Sequence, residues 1–319
     1  MLNNFIYSVN VILPIFIIVV LGFILGRTGF VTKEFLDCGE KLVFKIALPV
    51  MLFCEIAETV VSLGGRWKLI AFCIAAVTAS FALTAVCARI FIKNPGRRGS
   101  FVQGSCRSNF AVLGIPLAQS MFGDAGACAI AITMPFVIIM FNAYSVIILS
   151  VFAPKEEKTS AKEIFKRLGL NIITNPLIIA VVLALPFLIF DISLPVFASR
   201  SLGYISGLTT PLALICLGAN FRPEHVRSRM GFTIVACALK LVALPALAVI
   251  AAALCGMRGE YLGTVFILFA APSAVSSYIM AKNMDNDSDL AAQILLFSTM
   301  LCVFTVFAGV FILKSLGLI

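Results

Sequence analysis

"RSNFAVLGIPLAQ", Arg107–Gln119, sets an arginine, a serine, an asparagine, a glycine and a proline inside an otherwise apolar run. The chain around it is oily: of 319 residues 61% are hydrophobic and 12% charged, with a mean hydropathy of +1.09. Such values lie far outside soluble averages and read as an integral membrane protein. Pro116 removes a backbone N–H and crowds the preceding turn, so a spanning helix is expected to break near it. In hydrocarbon each freed backbone group costs several kcal/mol unless it finds a partner. The stretch is therefore either a mere kink or part of a binding site, and the rest of the sequence decides which.

Apolar runs long enough to cross a bilayer recur along the chain. Ten spans are expected, over 5–26, 36–59, 67–92, 101–121, 125–152, 168–190, 196–220, 230–256, 261–282 and 288–314. The one long polar connection, "APKEEKTSAKEIFKR" (153–167), divides five spans from five. No Lys or Arg precedes the first span and no small-residue cleavage site follows it, so it reads as a retained helix rather than a signal peptide.

Charge near the span ends orients the protein. One side collects sixteen basic residues: Arg27, Lys33, Lys41, Arg89, Lys93, Arg97, Arg98, Lys155, Lys158, Lys162, Lys166, Arg167, Arg222, Arg227, Arg229 and Lys282. The other collects five, Arg66, Lys68, Arg200, Arg258 and Lys314. The positive-inside rule puts the richer side, with the central loop, in the cytoplasm and both termini outside, at the cytoplasmic (inner) membrane. The net charge of +9 thus serves topology, and no nucleic-acid partner is expected.

An odd number of spans per half means that any repeat between the halves is inverted. Four landmarks share nearly one offset: Pro14 with Pro176 and Pro49 with Pro211 at 162 residues, Asn109 with Pro272 and Asp124 with Asp287 at 163. The fold class is all-α, two inverted five-helix repeats (1–152 and 168–319) joined by the 153–167 loop, the architecture of many secondary transporters. The opening stretch then has a partner, "APSAVSSYIMAKN" in the ninth span. Pro116 and Pro272 are read as breaking the fourth and ninth spans at one depth, with Pro49 and Pro211 as further helix breakers. Asn109 and Pro272 are expected to lie close together.

If the two broken helices cross, their positive half-helix N-termini favour an anion between them. The candidate substrate-binding residues are Asn109, Pro116, Asn142, Pro272, Ser273, Ser276 and Ser277. Lys240, about ten residues from either end of its span, and Arg107 are candidates for charge balance or coupling, because a cation there must face a cavity or a partner. Glu55, Glu58 and Asp191 are the carboxylates that approach Lys240 from the outer side. "GFILG" (Gly22, Gly26) and "GYISG" (Gly203, Gly207) read as close helix contacts. "MDNDSDL" (284–290) lacks the Gly and Glu that an EF-hand loop requires, and reads as a turn whose Asp287 or Ser288 caps the last helix. Ten scattered cysteines and one histidine, His225, form no metal or catalytic pattern, so neither metal, cofactor nor enzyme activity is expected.

"ALPVMLF", "SNFAVLGIPLAQSMFGDAGACAIAI", "PLALICLGANF" and "APSAVSSYIMAKNMDNDSDLAAQILLFSTM" resemble the auxin efflux carrier family of permeases, particularly its bacterial members. The resemblance spans essentially the whole chain. It implies a scaffold (spans 1, 2, 6 and 7), a transport domain (spans 3–5 and 8–10), an elevator-like motion, and an organic anion bound near Asn109, Pro116 and Pro272. The short central loop, and Leu52 and Phe53 where plant carriers tend to be polar, argue against auxin; bacterial relatives are described as malate or malonate permeases. The expected function is a secondary transporter of a small carboxylate in the lipid bilayer. A coupling ion, proton or sodium, and a homodimer are left open as partners. The alternatives are a sodium-coupled bile-acid-type symporter, which mid-membrane acids would favour, and a membrane sensor that does not transport.

Overall fold

The computed structural model describes residues 2–58, 67–153, 170, 173–221 and 223–319. The central connection, with its five basic residues, lies outside them, as do Arg66 and Arg222. Among the described residues all regular structure is helical. In order these helices are α1 (Leu2–Arg27), α2 (Lys33–Leu42), α3 (Leu48–Ala57), α4 (Trp67–Phe91), α5 (Pro95–Cys106), α6 (Phe110–Phe152), α7 (Pro176–Phe190), α8 (Val196–Gly207) and α9 (Thr209–Asn220). They continue as α10 (Pro223–Ala238), α11 (Leu244–Leu254), α12 (Gly259–Ala270), α13 (Ser276–Asn283) and α14 (Ser288–Ser315). Five helical stretches, Trp67–Phe91, Leu117–Phe152, Val196–Asn220, Ser228–Leu254 and Ser288–Ser315, are long and apolar enough to cross a bilayer. Large apolar side chains such as Ile17, Phe91, Phe190, Leu254 and Phe304 lie on the outer surface, as they do in a protein solvated by lipid.

Polar side chains start the helices as local chemistry dictates. Asn94 and Asn175 accept from the first-turn N–H groups of Arg97 and Leu177. Each precedes a proline, whose missing N–H costs nothing at that position. Asp287 caps α14 by accepting from Leu290 N at 3.1 Å, as the sequence suggested. The same carboxylate receives Arg229 at 2.8 Å and Arg97 at 3.3 Å, so it ties α5 and α10 to the start of α14.

The prolines behave differently from expectation. Pro49 does not break its helix: a π-turn at Val43–Ala47 joins α2 to α3, and Leu48 N reaches back five residues to the Val43 carbonyl. The wider turn lifts the chain over the position where proline has no N–H to give. Pro245 is absorbed identically, behind the π-turn Leu239–Ala243 that joins α10 to α11. Pro211 sits in the first turn of α9, just past the interruption at Leu208. Pro116 lies within the helical run of α6, and the chain breaks instead at Arg107–Asn109, where α5 stops and the backbone turns extended. Within α6 the interruption falls at Gly123, whose φ of 63° and ψ of −148° suit glycine almost alone. Pro272 does mark a break, the non-helical link from α12 to α13.

Buried apolar side chains form two principal cores. One draws on α4, α5, α6, α10, α11, α12 and α14, and is called the bundle below. The other joins α1, α3, α7 and α9, the panel, to the inward faces of α6, α13 and α14. Close backbone approach seals the panel. A Cβ at Gly22 would strike Ile215 of α9, and one at Gly218 would strike the Val19 carbonyl and the Phe23 nitrogen of α1. Gly218→Ala is therefore expected to force α1 and α9 apart at a cost of about 1–3 kcal/mol. The thermal midpoint in detergent should fall by about 2–4 °C for each kcal/mol. Gly203 and Gly207 meet nothing within 4 Å among the described residues, so this second glycine pair does not make the helix contact its spacing suggested. Gly203→Ala is the matched control, expected to leave the midpoint in place.

Candidate functional site

The two chain breaks meet. Asn109 N–H donates to the Pro272 carbonyl at 2.8 Å, and the Ser108 hydroxyl donates to the Ala271 carbonyl at 3.4 Å. Each break thereby supplies partners that the other lost when its helix stopped, which is how such irregular backbone is tolerated inside a membrane protein. Two helices begin at the junction, α6 after Asn109 and α13 after Val275. The side chain of Asn109 makes no capping bond to its own helix, which leaves the amide for other contacts.

A cavity of about 140 Å³ opens at this junction, between panel and bundle. Asn109, where α6 begins, and Ser276, where α13 begins, line it; from the panel come Glu55 of α3 and Thr209 and Thr210 of α9. The Thr209 hydroxyl is buried and has no hydrogen-bond partner among the described residues. An unpaired buried hydroxyl costs about 1–3 kcal/mol, a cost that a ligand in the cavity removes.

Of the other residues singled out in the sequence, Ser273 and Ser277 lie behind the cavity wall. Their hydroxyls are 3.5 Å apart, and Ser273 N–H donates to Ser298 of α14. Arg107 is buried and spans three elements, donating to Asn142 at 3.0 Å, to Ser145 at 3.3 Å and to the Met280 sulfur at 2.9 Å. The Asn142 oxygen is committed to Arg107 and its amide nitrogen to the Ile138 carbonyl, so this residue positions the guanidinium rather than lining the cavity. Lys240 is 1% exposed, and its ammonium donates to the Phe269 carbonyl near the end of α12 at 3.0 Å. It does not line the cavity, and none of Glu55, Glu58 and Asp191 serves as its partner. Glu58 accepts from Ser199 at 2.6 Å, Asp191 caps the end of α7, and Glu55 faces the junction.

Glu55, Thr209 and Thr210 are the cavity residues that sequence reasoning missed. A signal existed for the threonines, which directly precede the landmark Pro211. For Glu55 there was only its position about one turn from the end of a span, where carboxylates commonly reach for water.

A second cavity, of about 190 Å³, lies at the far end of α13 and is lined by Asn220, Tyr278, Lys282, Asp289 and Gln293 among others. Beside it the Glu40 carboxylate of α2 accepts from Tyr278 at 2.6 Å and from Asn220 at 2.9 Å. These bonds tie α13 to the helices it packs against at the end opposite the junction.

Two interrupted helices meeting over a mostly apolar cavity with a few convergent polar side chains match the build of transporters. Residues 7–308 match the family described as membrane transport protein, and the chain belongs to it, the family of the auxin efflux carriers. The chain is similar to an uncharacterized transporter of Methanothermobacter thermautotrophicus, 22% identical over 93% of this chain and 95% of that one. It is also similar to a putative malonate transporter of Rhizobium meliloti, 23% identical over 96% of each chain. A probable auxin efflux carrier component 5c of Oryza sativa is 25% identical over 43% of this chain and 38% of its own.

Proposed function

We propose that this membrane transporter is a secondary permease that moves a small organic anion, such as a carboxylate, across the cytoplasmic membrane by an elevator motion. The observation that carries the reading is the bond from Asn109 N–H to the Pro272 carbonyl, which seats two helix starts beside one cavity that carries Asn109, Ser276, Glu55 and Thr209. The first-turn N–H groups and roughly half a unit of positive charge at each helix start favour an anion there. Asn109 and Ser276 bind the carboxylate, Thr209 meets it from the panel, and Arg107 supplies positive charge behind. Ser273 and Ser277 hold the shape of the break at Pro272.

The division of the apolar side chains into two cores supports a sliding motion: Asn109 lies where α6 of the bundle begins, and the panel carries Glu55 and Thr209. Ten spans in two inverted halves, 1–152 and 168–319, with the central loop in the cytoplasm and both termini outside, are supported by the shared 162–163 offset and the charge asymmetry.

The test is flux. The full chain, purified and reconstituted in liposomes preloaded with unlabelled lactate, malonate, succinate or malate, is expected to exchange at least one of them for its radiolabelled form. Protein that is monodisperse and thermally cooperative yet exchanges none of them, nor any other short carboxylate, would sink the reading.

A further inference from the structure

The cavity at the junction already contains a carboxylate. We propose that Glu55 takes up one proton with each organic anion that binds, so that the permease is a proton–anion symporter. This rests on the permease reading above and concerns the same cavity.

The geometry carries the argument. A cavity of about 140 Å³ leaves an incoming carboxylate no position remote from Glu55. Two carboxylates sharing one poorly hydrated site do not both ionise, and one of them keeps a proton. The buried cation that acts on Glu55 among the described residues is Arg107. One cation and one resident carboxylate balance, a bound anion adds one negative charge for a monocarboxylate and two for a dicarboxylate, and a proton on Glu55 cancels one of them. Lys240 does not supply the balance, because its ammonium is held by the Phe269 carbonyl away from the cavity.

Among the described residues the other charged neighbours are engaged elsewhere or exposed. On α3 itself Cys54 is buried and Glu58 is engaged by Ser199. α7 carries no charged residue between Pro176 and Phe190, and Asp191 at its end is exposed. Arg200 and Tyr204 of α8 and Lys45 of the π-turn are exposed. From α6, Asp124 accepts from Gln119, Tyr144 pairs with Thr78, and Cys128 is exposed.

The cycle balances in charge and protons. On the loading side a proton passes from water to the Glu55 carboxylate as the anion binds at Asn109 and Ser276; on the unloading side the anion leaves and the proton returns to water. Glu55 belongs to the panel and Arg107 to the bundle, so sliding without a load separates opposite charges. With a load, Arg107 faces the anion and Glu55 is neutral, so loaded protein slides more readily and counterflow outpaces net efflux.

The experiment uses the full chain in liposomes with lactate, malonate, succinate and malate as probes, voltage held at zero by valinomycin in equal potassium, and protein-free liposomes as baseline. Wild type is expected to accumulate its substrate by about tenfold per unit of inward pH gradient for one proton per anion. A trapped pH dye should report acidification of the lumen. Glu55→Gln is neutral at every pH, so its counterflow should lose its pH dependence and a pH gradient should drive no accumulation. Glu55→Asp should retain both responses. If Glu55→Gln does not fold, wild type in weakly buffered detergent supplies the test, and it should take up about one proton per anion bound.

Accumulation that ignores the pH gradient, that follows a sodium gradient instead, or that survives unchanged in Glu55→Gln overturns the proposal and leaves the permease intact. Absence of flux for every short carboxylate with folded wild type overturns the permease reading, and this inference falls with it.

Discussion

Asn109→Asp is expected to cut organic-anion transport at sub-saturating substrate by roughly 100-fold in protein that folds as well as wild type. The substitution keeps side-chain shape, and aspartate begins a helix as well as asparagine does. The bond that joins the two breaks uses the backbone N–H of residue 109 and is untouched. What changes is charge, since a carboxylate then faces Glu55 and the bound anion across the same small cavity. Two unit charges about 5 Å apart at an effective dielectric constant of 20 repel by about 3 kcal/mol. At 1.4 kcal/mol per factor of ten, that is roughly 100-fold in anion affinity. Asn109→Ala, which removes one hydrogen-bonding group, should cost about 0.5–1.5 kcal/mol, or roughly tenfold at most. Lowering the pH protonates the new aspartate, so activity of Asn109→Asp should recover as pH falls. Counterflow at pH 5.5 and 7.5, with thermal midpoints measured in parallel, checks all three statements. Wild-type rates in Asn109→Asp at neutral pH would remove Asn109 from the anion site.

Much of this arrangement was legible because membrane chemistry writes it locally. Apolar runs and basic flanks mark helices, and the shared offset paired Asn109 with Pro272, which the structure joins by a hydrogen bond. The position of the first break was not legible. Proline marks where a helix loses a hydrogen bond, but the chain stops at Arg107–Asn109 because there the orphaned groups find the carbonyls of Ala271 and Pro272. That reason lies 163 residues away and leaves no local trace. Pro49 misled for the opposite reason, since a π-turn absorbs it with no change of residue type that announces one.

Partner chemistry explains the remaining misreadings. Asn142 looked like a ligand because a buried amide must bond something, and the structure shows that Arg107 is what it bonds. Glu55 looked peripheral because sequence position gives depth but not direction, and packing of α3 against α7 and α8 turns it toward the junction. Side chains that need partners could thus be found from the sequence, whereas their assignment to ligand, neighbour or backbone required the three-dimensional contacts.

Lys240 is the sharpest instance, and its substitutions should separate support of the fold from binding. A buried ammonium with no carboxylate beside it reads as a countercharge for a substrate, but here it donates to a main-chain carbonyl. That carbonyl is free because α12 stops at Ala270, leaving the negative end of a half-helix inside the protein. The charged hydrogen bond contributes about 1.5–3 kcal/mol and the helix end up to about 2. Desolvating the ammonium costs several kcal/mol in the opposite sense. The terms nearly cancel, so Lys240→Met should shift the thermal midpoint by only a few degrees and should keep stabilisation by the transported anion. Lys240→Glu removes the favourable terms, sets a carboxylate against the negative helix end, and still requires desolvation. A loss of about 3–5 kcal/mol or more is expected, against a total stability of about 5–15. The midpoint should fall by about 10 °C or more, or no monodisperse protein should be recovered. Thermal melts of both variants, with and without the anion, decide the matter. A Lys240→Met protein that melts like wild type but gains nothing from the anion would return this lysine to the binding site.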